Sequence, residues 1–351
     1  MTRLLSSIFI LGFLLLTACG GGSAAEQAAT EKRQQAQSEA DKELQDLIAR
    51  SPQIKLLSEQ LDKDPDNAQL RYTRGTLLSQ ANAPTQAAFD LDRALQLDST
   101  QTNYYLAAAD LYFSMENAVK AARILESAQK KGLDDPAIPT QLGKYYFYLQ
   151  QYDKAEVALK TALALHPKND QARFWLGCTY RDQQKNDEAI AQLTQAIALN
   201  PELYNAQMML AQLYANQRND KALQHYEIAA RLDTINAEAD YGKAVYLQNT
   251  NRTQEALAAF RAILKKDSQY TNAYYQMGTI YIAQKNYTQA LQNFNIAVRT
   301  SPAYADAYYM RGWCAEQLGK REDALQDYEK TLTFEPQHAK ATEALQRLSK
   351  P

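Results

Sequence analysis

Residues that punctuate helices recur every thirty-four positions along this 351-residue chain. Glycine stands at Gly143 and Gly177, and again at Gly278 and Gly312. Alanine follows at Ala155 and Ala189 and at Ala256, Ala290 and Ala324, and proline at Pro167, Pro201, Pro302 and Pro336. A fixed period of this length confines the fold to an array in which one small unit stacks on copies of itself, because a single unit cannot bury its apolar face alone. Small residues at fixed places let two helices approach closely, while proline cannot continue the second helix and opens the next unit. The expectation is therefore all-α: an α-solenoid of helix-turn-helix units.

The pattern resembles the tetratricopeptide repeat, which carries a small residue at position 8, alanine at 20, an aromatic residue or leucine at 24, alanine at 27 and proline at 32. "TNAYYQMGTIYIAQKNYTQALQNFNIAVRTSP" meets all five with Gly278, Ala290, Phe294, Ala297 and Pro302. "DQARFWLGCTYRDQQKNDEAIAQLTQAIALNP" does so with Gly177, Ala189, Leu193, Ala196 and Pro201. Eight repeats are expected over residues 68–336, beginning near Ala68, Thr102, Pro136, Asp170, Tyr204, Ala237, Thr271 and Ala305. The second has Ala109 and Leu133 where glycine and proline belong, and the fifth is one residue short, which puts the turn "NQRND" (216–220) in question. A capping helix is expected in 337–351, where Ala341, Ala344, Leu345 and Leu348 form one apolar stripe. Residues 31–67 are expected to hold an N-terminal helix, docked only through Leu44, Leu47 and Ile48, and a partial repeat.

Before the repeats lies "MTRLLSSIFILGFLLLTAC", an apolar run from Leu4 to Leu16 too short to stay as a spanning anchor, which is the layout of a signal peptide. Leu16-Thr17-Ala18-Cys19 resembles the lipobox of bacterial lipoproteins. The resemblance implies removal of residues 1–18 and acylation of Cys19, with palmitate-type chains holding the protein to a membrane. An aspartate after the cysteine would imply inner-membrane retention; Gly20 implies the outer membrane, facing the periplasm. Residues 19–30 then form a flexible Gly/Ser/Ala tether.

Composition excludes several functions. Lys+Arg total 38 against 40 Asp+Glu, and losing Arg3 with the signal moves the formal charge from −2 to −3, which gives no reason to expect nucleic acid. Cys178 and Cys314 are too few for a disulfide framework. The three histidines, His166, His225 and His338, are dispersed, and no phosphate loop, HExxH, CxxC or GxSxG is present. No catalytic residue, metal or cofactor is expected.

Tandem tyrosines in "NAYYQMGTIY" and "DAYYMRGWCA" raise a further question, because neighbours on a helix point about 100° apart and cannot serve one surface. In tetratricopeptide arrays first helices line the concave wall, with positions 2, 5, 9 and 12 facing the groove. The resemblance thus assigns Tyr274 and Tyr308 (position 4) to the core and Tyr275 and Tyr309 (position 5) to the groove. Position 5 through the repeats gives Tyr72, Leu106, Thr140, Phe174, Met208, Tyr241, Tyr275 and Tyr309, to which Trp313 at position 9 and Phe113, Phe147 and Ile282 at position 12 add. Either this apolar strip is a partner-binding surface, or the next repeat covers position 5 and it only completes the packing. The two-carboxylate clamp of the chaperone-binding members needs lysine at 5 and asparagine at 9, and no repeat has both. The function implied is a membrane-anchored scaffold for a protein or peptide partner, such as a cell-wall hydrolase or a protease. The alternative is a structural subunit or pilotin of a secretion, pilus or envelope assembly machine.

Overall fold

The computed structural model describes Lys42 and residues 44–349, so the signal, the acylation site at Cys19, the tether and most of the stretch before residue 44 lie outside the described residues. Among those residues all regular structure is helical. Chain contacts group it into two units, one ending at Asp134 and the other starting at Asp135.

The first unit holds α1 (44–50), α2 (Pro52–Lys63), α3 (Ala68–Gln80), α4 (Pro84–Leu97), α5 (Thr102–Ser114) and α6 (Ala118–Lys130). Pro52 and Pro84 open α2 and α4, where a missing N–H costs no helical bond. Leu44, Leu47 and Ile48 of α1 pack on the cluster of Ile54, Leu78, Ala87 and Leu91. Beside it sits a buried ion pair. Asp90, with no exposed surface, accepts from Arg71 Nη1 (2.8 Å) and from Arg74 Nε (2.6 Å) and Nη2 (2.9 Å), while Arg74 Nη1 donates to Ser58 Oγ (3.0 Å).

The second unit holds α7 (Ala137–Tyr148), α8 (Tyr152–Leu165), α9 (Asp170–Asp182), α10 (Asn186–Leu199), α11 (Tyr204–Asn216), α12 (Lys221–Leu232) and α13 (Glu238–Asn249). It continues through α14 (Thr253–Lys266), α15 (Thr271–Ala283), α16 (Tyr287–Thr300), α17 (Ala305–Gln317), α18 (Arg321–Phe334) and α19 (Ala339–Leu348). Each odd-numbered helix from α7 to α17 pairs with the next as a repeat and then meets the first helix of the following one. The pairing is close because the glycines leave room: a Cβ on Gly278 would stand 2.6 Å from Phe294 Cζ.

The turn inside every repeat is built alike. In the fourth, Gln184 takes φ 62°, its N–H donates to the Arg181 carbonyl (2.9 Å), and Lys185 N–H donates to the Tyr180 carbonyl (2.8 Å). This is a Schellman closure, which satisfies carbonyls that the helix end leaves open. Left-handed residues recur at Asn82, Glu116, Gln150, Gln184, Arg218, Asn251, Lys285 and Gly319, so only the last turn uses glycine.

The shortened fifth repeat keeps this turn, with Asn219 N–H bonded to the Tyr214 carbonyl at 2.9 Å. The missing residue is taken up in α12 instead. Ala222 and Leu223 bond three residues back, to Asn219 (3.0 Å) and Asp220 (3.1 Å), where Ala189 at the same place in α10 bonds four back to Lys185. A tightened first turn thus restores the register of Ala222 in the core.

At the C-terminal end, α19 buries Ala341 and Ala344 against Tyr328 and is fastened by polar bonds. Glu316 accepts from Tyr328 Oη and Arg347 Nη2, both at 2.9 Å, and Arg321 Nε donates to the Leu348 carbonyl (3.0 Å). A second buried pair, Arg311 with Asp327 (2.5 and 2.8 Å), lies in the same repeat. Burial pushes the Asp327 carboxyl up although Arg311 opposes it, and the bond to Asp327 in turn holds the Arg311 guanidinium above its ordinary value.

Two stability outcomes follow. Gln184→Gly removes left-handed strain at an exposed position and is expected to raise the urea midpoint, by up to about 1 kcal/mol after the entropy of glycine is subtracted. Asp90→Ala strands two guanidinium groups and is expected to cost about 3–5 kcal/mol in the same titration.

Candidate interaction surface

Position 5 is the place to begin, since the sequence offers it both as surface and as packing. The Tyr275 ring lies 5.5 Å from Phe294 at 69° and 5.1 Å from Tyr304 at 30°. Tyr241 stands in the same way between Phe260 (6.0 Å) and Tyr270 (5.7 Å), and Tyr309 between Tyr328 (5.7 Å) and His338 (4.8 Å). In all three, one flanking ring belongs to the second helix of the same repeat. The other belongs to the residue that caps the next first helix: Tyr270, Tyr304 or His338. The tyrosines are therefore half-buried between aromatic neighbours. Burial pushes the Tyr275 phenol up to about 12.

The fourth and fifth repeats carry this further. Phe174 and Met208 keep only 9% and 6% of their surface and belong to the main core cluster, with Leu203 and Tyr204 packed against it. This corrects the reading of these two as groove residues: both side chains are buried in the core and offer almost no surface to a partner. Tyr72 and Leu106 are half-buried, Tyr72 stacked on Tyr104 at 4.8 Å, and Phe113 is half-buried as well. Phe147 meets Trp175 at 5.6 Å and Trp313 meets Tyr287 at 5.5 Å, edge-on; Ile282 packs beside Phe294. Tyr274 and Tyr308, assigned to the core from sequence, are half-buried on Ala297 and Val298. Both members of each tyrosine pair thus contribute to packing.

What the first helices of the fifth and sixth repeats expose is amide rather than aromatic. Gln212, Asn216 and Asn249 are exposed, at positions 9 and 13. They line a hollow of ≈ 460 Å³ between α11 and α13, whose remaining wall includes Ala215, Arg218, Tyr226, Tyr241, Gly242 and Val245. The hollow exists because two positions are truncated. Position 6 of the other first helices in this unit carries Gln141, Trp175, Met209, Gln276 or Met310, and here it is Gly242; Ala215 stands where the later repeats have Gln248, Ile282 and Glu316. Gly242 is needed because the Tyr226 ring lies flush on it, 2.4 Å from where a Cβ would be.

Titratable groups elsewhere are structural. Cys178 and Cys314 are buried, and burial pushes both thiols up to about 12. His225 stacks on Tyr214 and shares a 2.8 Å hydrogen bond between Nδ1 and Gln207 Oε1; burial lowers its pKa. Among the described residues, Asp306, Glu335 and His338 are grouped closely enough to hold a metal ion. His338 Nδ1, however, accepts the Ala341 N–H (3.1 Å) as the cap of α19, so in the neutral ring the proton sits on Nε2, 3.5 Å from Asp306. A metal on Nε2 would cost that cap. Among the described residues no helix is long and apolar enough to cross a membrane.

Models of the tetratricopeptide repeat match residues 140–169, 158–191, 176–233, 213–271 and 275–339, more than half of the chain. The chain belongs to the tetratricopeptide-repeat proteins. The C-terminal part of a repeat protein from Cytophaga hutchinsonii aligns with a TM-score of 0.59 at 17% identity, over 68% of this chain and 98% of that one. A tetratricopeptide repeat protein from Parabacteroides merdae gives 0.50 at 18%, over 70% and 97%. YrrB, described as a TPR protein with an unusual peptide-binding site, gives 0.46 at 22%, over 53% and 96%. No curated protein sequence matches the chain. The repeat fold is one typical of non-enzymatic protein-interaction scaffolds.

Two measurements check the burial. With Cys19 replaced by serine, the remaining thiols are expected to react with Ellman's reagent at pH 8 only as fast as the chain unfolds. Stability is expected to be complete below pH 9 and to fall as pH rises toward 12, because unfolded cysteine and tyrosine release protons there while Cys178, Cys314 and Tyr275 do not.

Proposed function

We propose that this protein is a scaffold tethered to a bacterial envelope membrane, outer membrane and periplasmic face, which holds a protein or peptide partner on its repeats. The observation that carries the binding half is the polar hollow between α11 and α13, open on a framework whose neighbouring apolar side chains are used up in packing. Amide side chains offer a donor and an acceptor each, which suits the main chain of an extended segment. The anchoring half rests on the apolar run Leu4–Leu16 and on Leu16-Thr17-Ala18-Cys19. An acyl tether would confine the partner near the membrane and raise its effective concentration.

Two experiments test the halves separately. Cells fed labelled palmitate should mark the wild-type chain and leave Cys19→Ser unmarked and unprocessed; equal labelling, or none in either, removes the anchor. Cross-linked envelopes should yield partners with wild type that are lost with Gln212→Ala/Asn216→Ala/Asn249→Ala, three exposed changes that leave the core intact. A wild-type chain that cross-links to no protein removes the scaffold. The triple Tyr275, Tyr309 and Trp313 replacement is the poorer probe, since it opens the packing described above.

A further inference from the structure

The hollow between α11 and α13 has two features that amide lining alone does not explain. Arg218, in the left-handed turn after α11, is the one charged side chain on its wall. It is exposed and makes no ion pair or hydrogen bond with the described residues. Asp220, two residues on in the chain, is engaged elsewhere: it accepts Tyr246 Oη at 2.8 Å and pairs with Arg252 at 3.5 Å. Tyr226 is the second feature. It keeps 5% of its surface, forms part of the wall, and its hydroxyl has no hydrogen-bond partner among the described residues. A phenol hydroxyl on the wall with no protein acceptor can donate its one hydrogen bond to a ligand there.

We propose that this hollow seats one carboxylate of an extended peptide, paired by the Arg218 guanidinium and receiving the Tyr226 hydroxyl, with Gln212, Asn216 and Asn249 holding the adjoining main chain. The inference rests on the scaffold reading and narrows it to a ligand chemistry. Arginine is suited to the task because its planar fork meets both oxygens of a carboxylate. Val245 and Tyr241 supply an apolar floor for a neighbouring side chain. The arrangement differs from the two-carboxylate clamp, whose lysine at 5 with asparagine at 9 no repeat here has: it draws on a turn residue, a second-helix tyrosine and amides at positions 9 and 13. The carboxylate can be a chain terminus or an Asp or Glu side chain, and the test separates them.

Three dye-labelled pools of randomised nonapeptides are titrated by anisotropy against the full chain: free-acid ends without Asp or Glu, amidated ends with Asp and Glu, and amidated ends without either. The wild type is expected to bind one of the first two at least about tenfold more tightly than the third, and which one identifies the source. Arg218→Gly removes the cation while relieving a left-handed residue, and Tyr226→Phe removes one oxygen, so both should keep the wild-type thermal melt. Each is expected to bring the acid-containing pool to within about threefold of the acid-free one. Equal binding of all pools by the wild type, absence of binding, or a preference that survives Arg218→Gly overturns the proposal. If partners still cross-link in envelopes while no acid preference is found, the scaffold stands and the carboxylate site alone is lost.

Discussion

The constraint on which everything else depends is the closeness of two helices within each repeat. Gly143, Gly177 and Gly278 bring backbone against Leu159, Leu193 and Phe294, at distances a Cβ would already violate. With the first helix pressed onto the second, its other flank is free to receive the next repeat. Residues such as Leu203, Tyr270, Tyr304 and His338 then fall over position 5 of the repeat before. Packing within a unit and stacking between units are thus two sides of one arrangement, as expected where each repeat touches only its neighbours.

Buried arginine–aspartate pairs stand in the first and last repeats. Arg74 with Asp90 and Arg311 with Asp327 occupy equivalent positions, 7 and 23, of the first and last repeats, where the intervening repeats have mainly apolar or neutral residues. Buried ion pairs add little net stability but penalise any arrangement that breaks them. They therefore favour one register at each end. The bonds of Glu316 to Arg347 and of Arg321 to the Leu348 carbonyl of α19 have the same effect at the C-terminal cap.

The unit's irregular junction is also where it opens. The residue lost from the fifth repeat tightens the start of α12, and nearby Ala215 and Gly242 leave room between first helices. Elsewhere in that unit the same positions carry larger side chains such as Trp175, Met310, Phe147 and Ile282. The hollow lies where bulk is missing, whereas the apolar side chains of the first helices are used in packing.

The repeat period, helix pairing, capping helix and absence of catalytic motifs were legible from residue type and spacing alone, because small residues and prolines act through local sterics that no distant contact can override. The left-handed turns were not legible, since Gln184, Arg218 and Lys285 occupy places where glycine would have given the signal. Nor was the surface. At position 5 the sequence allowed both a groove and a core, and only the neighbouring repeat decided between them, by laying a capping residue against the rings of Tyr241, Tyr275 and Tyr309. Burial is a property of two units in contact, and one unit's residues cannot report what its neighbour covers. The same reason hid Arg218 and Tyr226, whose missing partners become visible only when every group within reach is in place.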